Sequence, residues 1–205
     1  MSKYVKMIGK KARKAIENKV DSTTKNKVLK KFLVLLKKNE KKILQQNKKD
    51  IKFAKKKKLK TNLIDRLMLT SKKLESIKKS VKDIIKLRDP VDKILDNWKR
   101  PNGLNIKKVS TPIGVIAVIY ESRPNVTSDI SSLCFKSGNA VILRGGSEAV
   151  NTNKILSSLF RKALSMNKVN PDFVQFINDR NRKIVDFLLA KMTKEIDVII
   201  PRGGK

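Results

Sequence analysis

From Val115 onward, short apolar runs alternate with helix-length amphipathic segments, and this alternation constrains the fold more than any other feature of the chain. Val115 to Tyr120, Ala140 to Leu143, Phe173 to Ile177 and Asp197 to Ile200 are four such runs, rich in branched residues. Apolar runs of this length without helical spacing read as strands buried on both faces. Between them lie a helical segment from Val126 to Lys136, the helical pattern of Ile155, Leu156, Leu159, Phe160, Ala163 and Leu164, and a short helix from Lys183 to Leu189. The order β, α, β, α, β, α, β predicts an α/β chain with a doubly wound parallel sheet and right-handed crossovers.

The second run ends in "VILRGGSEA", residues 141–149. Gly145 and Gly146 stop the strand, and Ser147 suits the N-cap of the helix that follows. Strand, glycine turn and helix start would bring free backbone N–H groups and a positive helix end to the carboxyl edge of the sheet. Phosphate-bearing cofactors bind there in open α/β folds. The spacing is not G-x-G-x-x-G, so the alternative is a plain connection whose glycines serve turn geometry alone.

Upstream the periodicity is helical. Tyr4, Met7, Ile8, Ala12, Ala15 and Ile16 mark a first helix, and Val28, Leu29, Phe32, Leu33, Leu35 and Leu36 a second, after the capping cluster Ser22-Thr23-Thr24. A third covers Glu40 to Lys57, a short fourth holds Leu63, Ile64, Leu67 and Met68, and a fifth holds Leu74, Ile77, Val81, Ile84 and Ile85 before Asp89-Pro90 closes it. The signal changes at Trp98, where Asn102-Gly103 predicts a hairpin with Leu104 and Ile106 on one flank. The expected organisation is a helical region over 1–97, then a hairpin and an incomplete dinucleotide-binding domain over 98–205.

Composition narrows the chemistry. With 40% hydrophobic residues the chain has enough apolar material for a packed core. It contains no histidine and one cysteine, Cys134, so a zinc site, a Ser-His-Asp triad and an internal disulfide are excluded by inventory. The formal charge of +32 raises nucleic acid as a partner. Residues 1–100 hold 34 of the 50 basic residues, placed mainly on polar helix faces as at Lys37-Lys38 and Lys78-Lys79, and no nucleic-acid reader motif accompanies them. A drift toward Lys, Asn and Ile codons accounts for the same pattern. The apolar stretch around Ile113 to Tyr120 is too short to span a bilayer, and the N-terminus has no apolar signal core, so a soluble cytoplasmic protein is expected.

Two long motifs carry a resemblance. "RPNGLNIKKVSTPIGVIAVIYESRPNVTSDISSLCFKSGNAVILRGGSEA" and the terminal "IDVIIPRGGK" resemble the gamma-glutamyl phosphate reductase family of the aldehyde dehydrogenase superfamily, over about Trp98 to Lys205. The resemblance implies an NADPH-dependent enzyme of proline biosynthesis that reduces L-glutamyl 5-phosphate to the semialdehyde and releases phosphate. It places the cofactor's adenosine ribose and phosphate at Arg144 to Glu148. Arg144 would pair with a 2′-phosphate, Gly145 would belong to the same cofactor-binding stretch, and Ser147 and Glu148 would bind ribose or phosphate hydroxyls. Gly203 and Gly204 would sit beside the cofactor diphosphate. "ESRPN" would face the substrate, with Arg123 binding the acyl phosphate or the substrate carboxylate and Asn125 serving as a substrate contact and oxyanion donor. In the alternative reading Arg123 caps a helix or pairs with Glu121 or Asp129, and the glycines only turn the chain.

The family's nucleophile is a cysteine of a separate catalytic domain that follows the cofactor domain. Cys134 does not match it, because it sits between Leu133 and Phe135 where a small buried apolar residue is expected, with no activating charge beside it. The resemblance thus implies a chain without its catalytic cysteine domain, inactive alone, with an unpaired sheet edge. It is read as a truncated reductase, as one half of a split enzyme completed by a separately encoded C-terminal half, or as a basic nucleic-acid-binding or structural module that has kept only the fold. Homo-oligomers are implied through elements partly outside this sequence.

Overall fold

The computed structural model describes residues 2–181 and 183–202. Five helices come first: α1 (Ser2–Ala15), α2 (Ser22–Lys38), α3 (Glu40–Lys56), α4 (Thr61–Leu67) and α5 (Ser71–Lys86). A hairpin of β1 (Ile94–Lys99) and β2 (Asn105–Val109) follows, then β3 (Val115–Tyr120), α6 (Pro124–Lys136), β4 (Ala140–Arg144), α7 (Val150–Met166), a 3-10 turn (Pro171–Phe173), β5 (Val174–Phe176), α8 (Lys183–Lys191) and β6 (Val198–Arg202).

The strand order is β5-β4-β3-β6, all parallel, with Ile116 opposite both Val141 and Val198. β4 and β5 extend the sheet on one side of β3, and β6 lies on the other. The order therefore reverses at β3, which creates a crevice outside the carboxyl ends of β3 and β6, the place where open α/β sheets take ligands. Every residue of β4 is buried, as the unbroken apolar run requires. The edge strand β6 is more open, with Val198 and Ile200 exposed.

The N-terminal helices are not a separate layer. α2 and α3 pack on α7, α5 packs on α6, and α1 packs on β3, β4 and β5. One buried cluster runs from Val5 and Ile8 through Phe32 to Ile142 and Phe160, and the rings of Phe32 and Phe160 are 4.8 Å apart. The face of α1 differs from the expected one. Val5, Ile8, Ala12 and Ala15 are buried, whereas Tyr4 and Met7 are exposed, so Val5 carries the contact assigned to its neighbours. Among the described residues no helix is long and apolar enough to cross a membrane.

Three capping expectations need correction. α2 is capped by Asp21, whose carboxylate accepts from the Thr24 N–H at 2.9 Å and from its hydroxyl at 2.6 Å, rather than by the Ser22-Thr24 cluster. Ser147 does not cap α7. The cap residue is Ala149, which makes no side-chain cap bond, while the Ser147 hydroxyl donates to the adjacent Glu148 carboxylate at 2.5 Å. Nor are the Asn151 and Thr152 N–H groups at the start of α7 free for an anion. The buried carboxylate of Asp50, from α3, accepts from the backbone N–H of Asn151 at 3.1 Å and of Thr152 at 2.7 Å, and from the Thr152 hydroxyl at 2.6 Å. The chain brings its own anion to that helix end.

The hairpin turns at Asn102-Gly103 as expected, with Gly103 at φ +86° and its N–H donating to the Arg100 carbonyl at 2.9 Å. Its first strand starts at Ile94, ahead of Trp98. Both strands stand almost wholly in solvent, with Ile94, Leu95 and Trp98 exposed.

Candidate functional site

The carboxyl ends of β3, β4 and β6 open onto a cleft of about 720 Å³. Five arginines line it: Arg66 from α4, Arg123 after β3, Arg144 at the end of β4, Arg180 before α8 and Arg202 at the end of β6. Strand geometry explains the convergence. Parallel strands end at one edge, so the residues that terminate them are delivered together. Arg144 is 6% exposed, and its guanidinium donates to the Gly145 carbonyl and, at 3.4 Å, to the Arg180 carbonyl. These bonds fix a positive charge at the tip of β4.

Glu148 lies on the same wall as a fixed counter-charge. Its carboxylate accepts from the Ser122 hydroxyl at 2.7 Å and from Ser147 at 2.5 Å. Burial alone would raise its pKa, but the two hydroxyls outweigh that and hold it below the usual carboxylate value. Gly146 is what lets the two loops approach. A Cβ there would fall on the Ser122 side chain and 3.0 Å from its backbone nitrogen, so any larger residue would separate Ser122 from Glu148.

A second cleft, of about 550 Å³, lies between α5 and α6 and is lined by Met68, Leu69, Lys73, Ile77, Asn125 and Asp129, with Arg66 and Arg123 common to both clefts. Its upper wall is fixed by α3. Asn47, 1% exposed, donates to the Leu67 carbonyl at 2.9 Å and accepts from the Leu69 N–H at 2.8 Å, which sets the bend between α4 and α5. The Lys73 ammonium donates to the carbonyls of Asp65 and Met68, both at 2.7 Å, and so satisfies the end of α4. Arg123 stands at the cap position of α6, just before Pro124, in extended backbone and without a side-chain cap bond. Its Nε is buried and has no hydrogen-bond partner among the described residues.

Comparison with known proteins gives the relationship. No protein-family model matches the chain. The gamma-glutamyl phosphate reductase of Clostridium tetani is 44% identical over 207 residues, which cover all of this chain and 48% of that protein. The crystal structure of the Thermotoga maritima gamma-glutamyl phosphate reductase superposes with a TM-score of 0.93 at 38% identity, over 97% of this chain and 48% of that one. The chain belongs to the gamma-glutamyl phosphate reductase family. It corresponds to the N-terminal half and spans about half the length of the curated relatives it matches. A Listeria monocytogenes protein described as a "probable aldehyde dehydrogenase" shares the fold, with a TM-score of 0.72 at 13% identity over 98% of this chain.

The site residues chosen from sequence fall in two groups. Arg144, Ser147, Glu148 and Arg123 meet in the larger cleft, whereas Asn125 lies in the smaller one, its amide donating to Asp129 at 3.1 Å. Gly146 lines the larger cleft; Gly145 is buried beneath it. Gly203 and Gly204 lie outside the described residues. Arg123 neither caps α6 with its side chain nor pairs with Glu121 or Asp129. Arg66 pairs with Glu121 at 3.8 Å. Sequence reasoning missed Arg66, Arg180 and Arg202. Arg202 had a legible signal, as the last residue of an apolar run that pairs with β3, whereas nothing in "TNLIDRL" marks Arg66 as a cleft residue. Cys134 is 8% exposed in the core, and burial pushes its thiol up to about 12. A thiol so held is protonated at neutral pH and does not act as a nucleophile.

Proposed function

We propose that this chain supplies the cofactor cleft and part of the substrate cleft of an NADPH-dependent reductase that converts L-glutamyl 5-phosphate to L-glutamate 5-semialdehyde and phosphate. The observation that carries the reading is the convergence of five arginines on one crevice at the point where the strand order reverses, in a chain similar to gamma-glutamyl phosphate reductases throughout its length. The donor set suits a dinucleotide. Arg144 and Arg180 provide cations for a 2′-phosphate, Glu148 and Ser147 provide acceptors and a hydroxyl for the ribose, and the close approach at Gly146 keeps the wall open to a ligand. When bound, the cofactor supplies hydride.

The chain's own residues bind and orient. Arg123, common to both clefts, stands where an acyl phosphate would meet the cofactor, and its guanidinium would neutralise the phosphate as it departs. Asn125 neighbours it on the substrate side, and beside the N–H it gives to Asp129 its amide keeps a second donor for the carbonyl oxygen. The thiolate of such a reaction does not come from Cys134. In this proposal the nucleophile comes from a C-terminal half. The protein works in the cytoplasm, and completed halves associate as homo-oligomers.

The test is NADP-dependent oxidation of the semialdehyde in the presence of phosphate, with the chain alone and with a C-terminal half of a related reductase added. Turnover only in the mixture, with NADPH binding at least about tenfold tighter than NADH as one added charge-assisted contact requires, is the expected result. Turnover by the chain alone would overturn the exclusion of Cys134. Equal binding of the two cofactors would remove the 2′-phosphate role of Arg144.

A further inference from the structure

The smaller cleft contains two buried polar atoms of opposite character that nothing among the described residues satisfies. They are Oδ1 of Asp129 and Nε of Arg123, and both residues line it. A buried carboxylate oxygen without a donor and a buried N–H without an acceptor are each costly, and native proteins rarely keep them without a use. The other oxygen of Asp129 accepts from the Asn125 amide at 3.1 Å, which pins the carboxylate in place.

The charge pattern selects the ligand. Three cations, Arg66, Lys73 and Arg123, share the cleft with one acid, and Met68 and Ile77 add an apolar surface between them. A site for a simple anion has no use for an acid with an open oxygen, and a site for a simple cation would not gather three bases. A ligand that carries both signs on one short apolar chain fits both sets of groups. We propose that Asp129 receives the α-ammonium group of an α-amino-acid substrate held in this cleft, whose α-carboxylate faces Lys73 and Arg66. Lys73 spends two of its donors on the Asp65 and Met68 carbonyls and keeps a third together with its charge. The methylenes of the substrate lie along Met68 and Ile77. Its far end reaches Arg123, where the two clefts meet. The inference rests on the proposed reductase activity for the identity of that reacting end, and it adds the residue that reads the amino group.

The test compares L-glutamate with glutarate, which has the same two carboxylates and no ammonium, by titration of the isotope-labelled chain in NMR. L-Glutamate should bind about tenfold tighter than glutarate, the equivalent of one charge-assisted hydrogen bond, and should move the Asn125 side-chain amide resonances. Asp129→Asn should bring the two ligands to equal affinity, while Asp129→Glu should keep a preference for glutamate. Equal affinities in the unsubstituted chain, or a preference that survives Asp129→Asn, would overturn the assignment, and the first of these needs no variant to fold. NADPH is titrated into the same sample. Cofactor binding without a glutamate preference would sink the role of Asp129 and leave the reductase reading standing; failure to bind NADPH would count against that reading itself.

Discussion

Replacing Asp50 by Ala should be among the most damaging single changes available in this chain. The side chain is fully buried, and its two oxygens accept from two backbone N–H groups, one amide and one hydroxyl at the first turn of α7, at 2.6 to 3.1 Å. Truncation leaves both backbone donors buried and unpaired, at about 1 to 3 kcal/mol each, and removes the negative charge that opposes the helix dipole. Some of that cost is returned because a carboxylate need no longer be desolvated. A net loss of about 3 to 5 kcal/mol follows, a large part of the total of about 5 to 15 kcal/mol expected for a domain. Asp50→Asn keeps one acceptor oxygen and should lose about half as much. Urea unfolding followed by far-UV circular dichroism, extrapolated to water, measures both. A loss below about 1 kcal/mol for Asp50→Ala would mean that water reaches the start of α7, and the cap would not be what holds α3 to α7.

Three further outcomes follow from individual groups. Glu148 has its pKa lowered by Ser147 and Ser122 against the effect of burial, so it contributes stability above its usual value of 4.5 that is lost as the pH falls through the depressed folded value. The stability difference between the wild type and Glu148→Gln should therefore be constant near neutrality and shrink in acid, as chemical unfolding at several pH values would record; a difference that grows in acid would contradict the assignment. Cys134 should resist alkylation by iodoacetamide in the native chain at pH 8 and react fully once unfolded, and rapid native labelling would show that its burial is not maintained. Gly114 sits at φ +127°, and a Cβ there would meet the Asp197 carboxylate, which accepts from the Val115 N–H at 2.7 Å and pairs with Arg13 at 2.8 Å. Gly114→Ala should cost more than about 1 kcal/mol by thermal or chemical melting, and a neutral result would show that the loop can rearrange.

The parts legible from sequence were those whose cause is local. Val115 to Tyr120 and Ala140 to Leu143 announce buried parallel strands because a strand covered on both faces needs apolar residues throughout. Asn102-Gly103 announces a turn because Gly103 must take a positive φ. What stayed hidden depends on distant partners. Ser147 looks like a cap from its neighbours alone, but Asp50 arrives from 101 residues upstream and fills the helix end first. Arg66 and Arg180 join the cleft only because α4 and the segment before α8 fold over the strand ends, and no periodicity encodes that. Arg123 could be placed at the end of a strand from its position, yet choosing between a helix cap and a ligand contact required its side-chain surroundings.

The packing of the first helices against the last-formed sheet also sets a timetable. α1 rests on β3, β4 and β5, and Phe32 meets Phe160, so the apolar face of α1 and the part of α2 that α5 does not cover stay open until the strands and α7 have been made. At roughly 5 to 20 residues per second, synthesis leaves those faces uncovered for several seconds while the strands are still to come. The exposed lysines on the outer faces of α2 and α3 carry the same charge, which opposes association between chains through those helices in that interval.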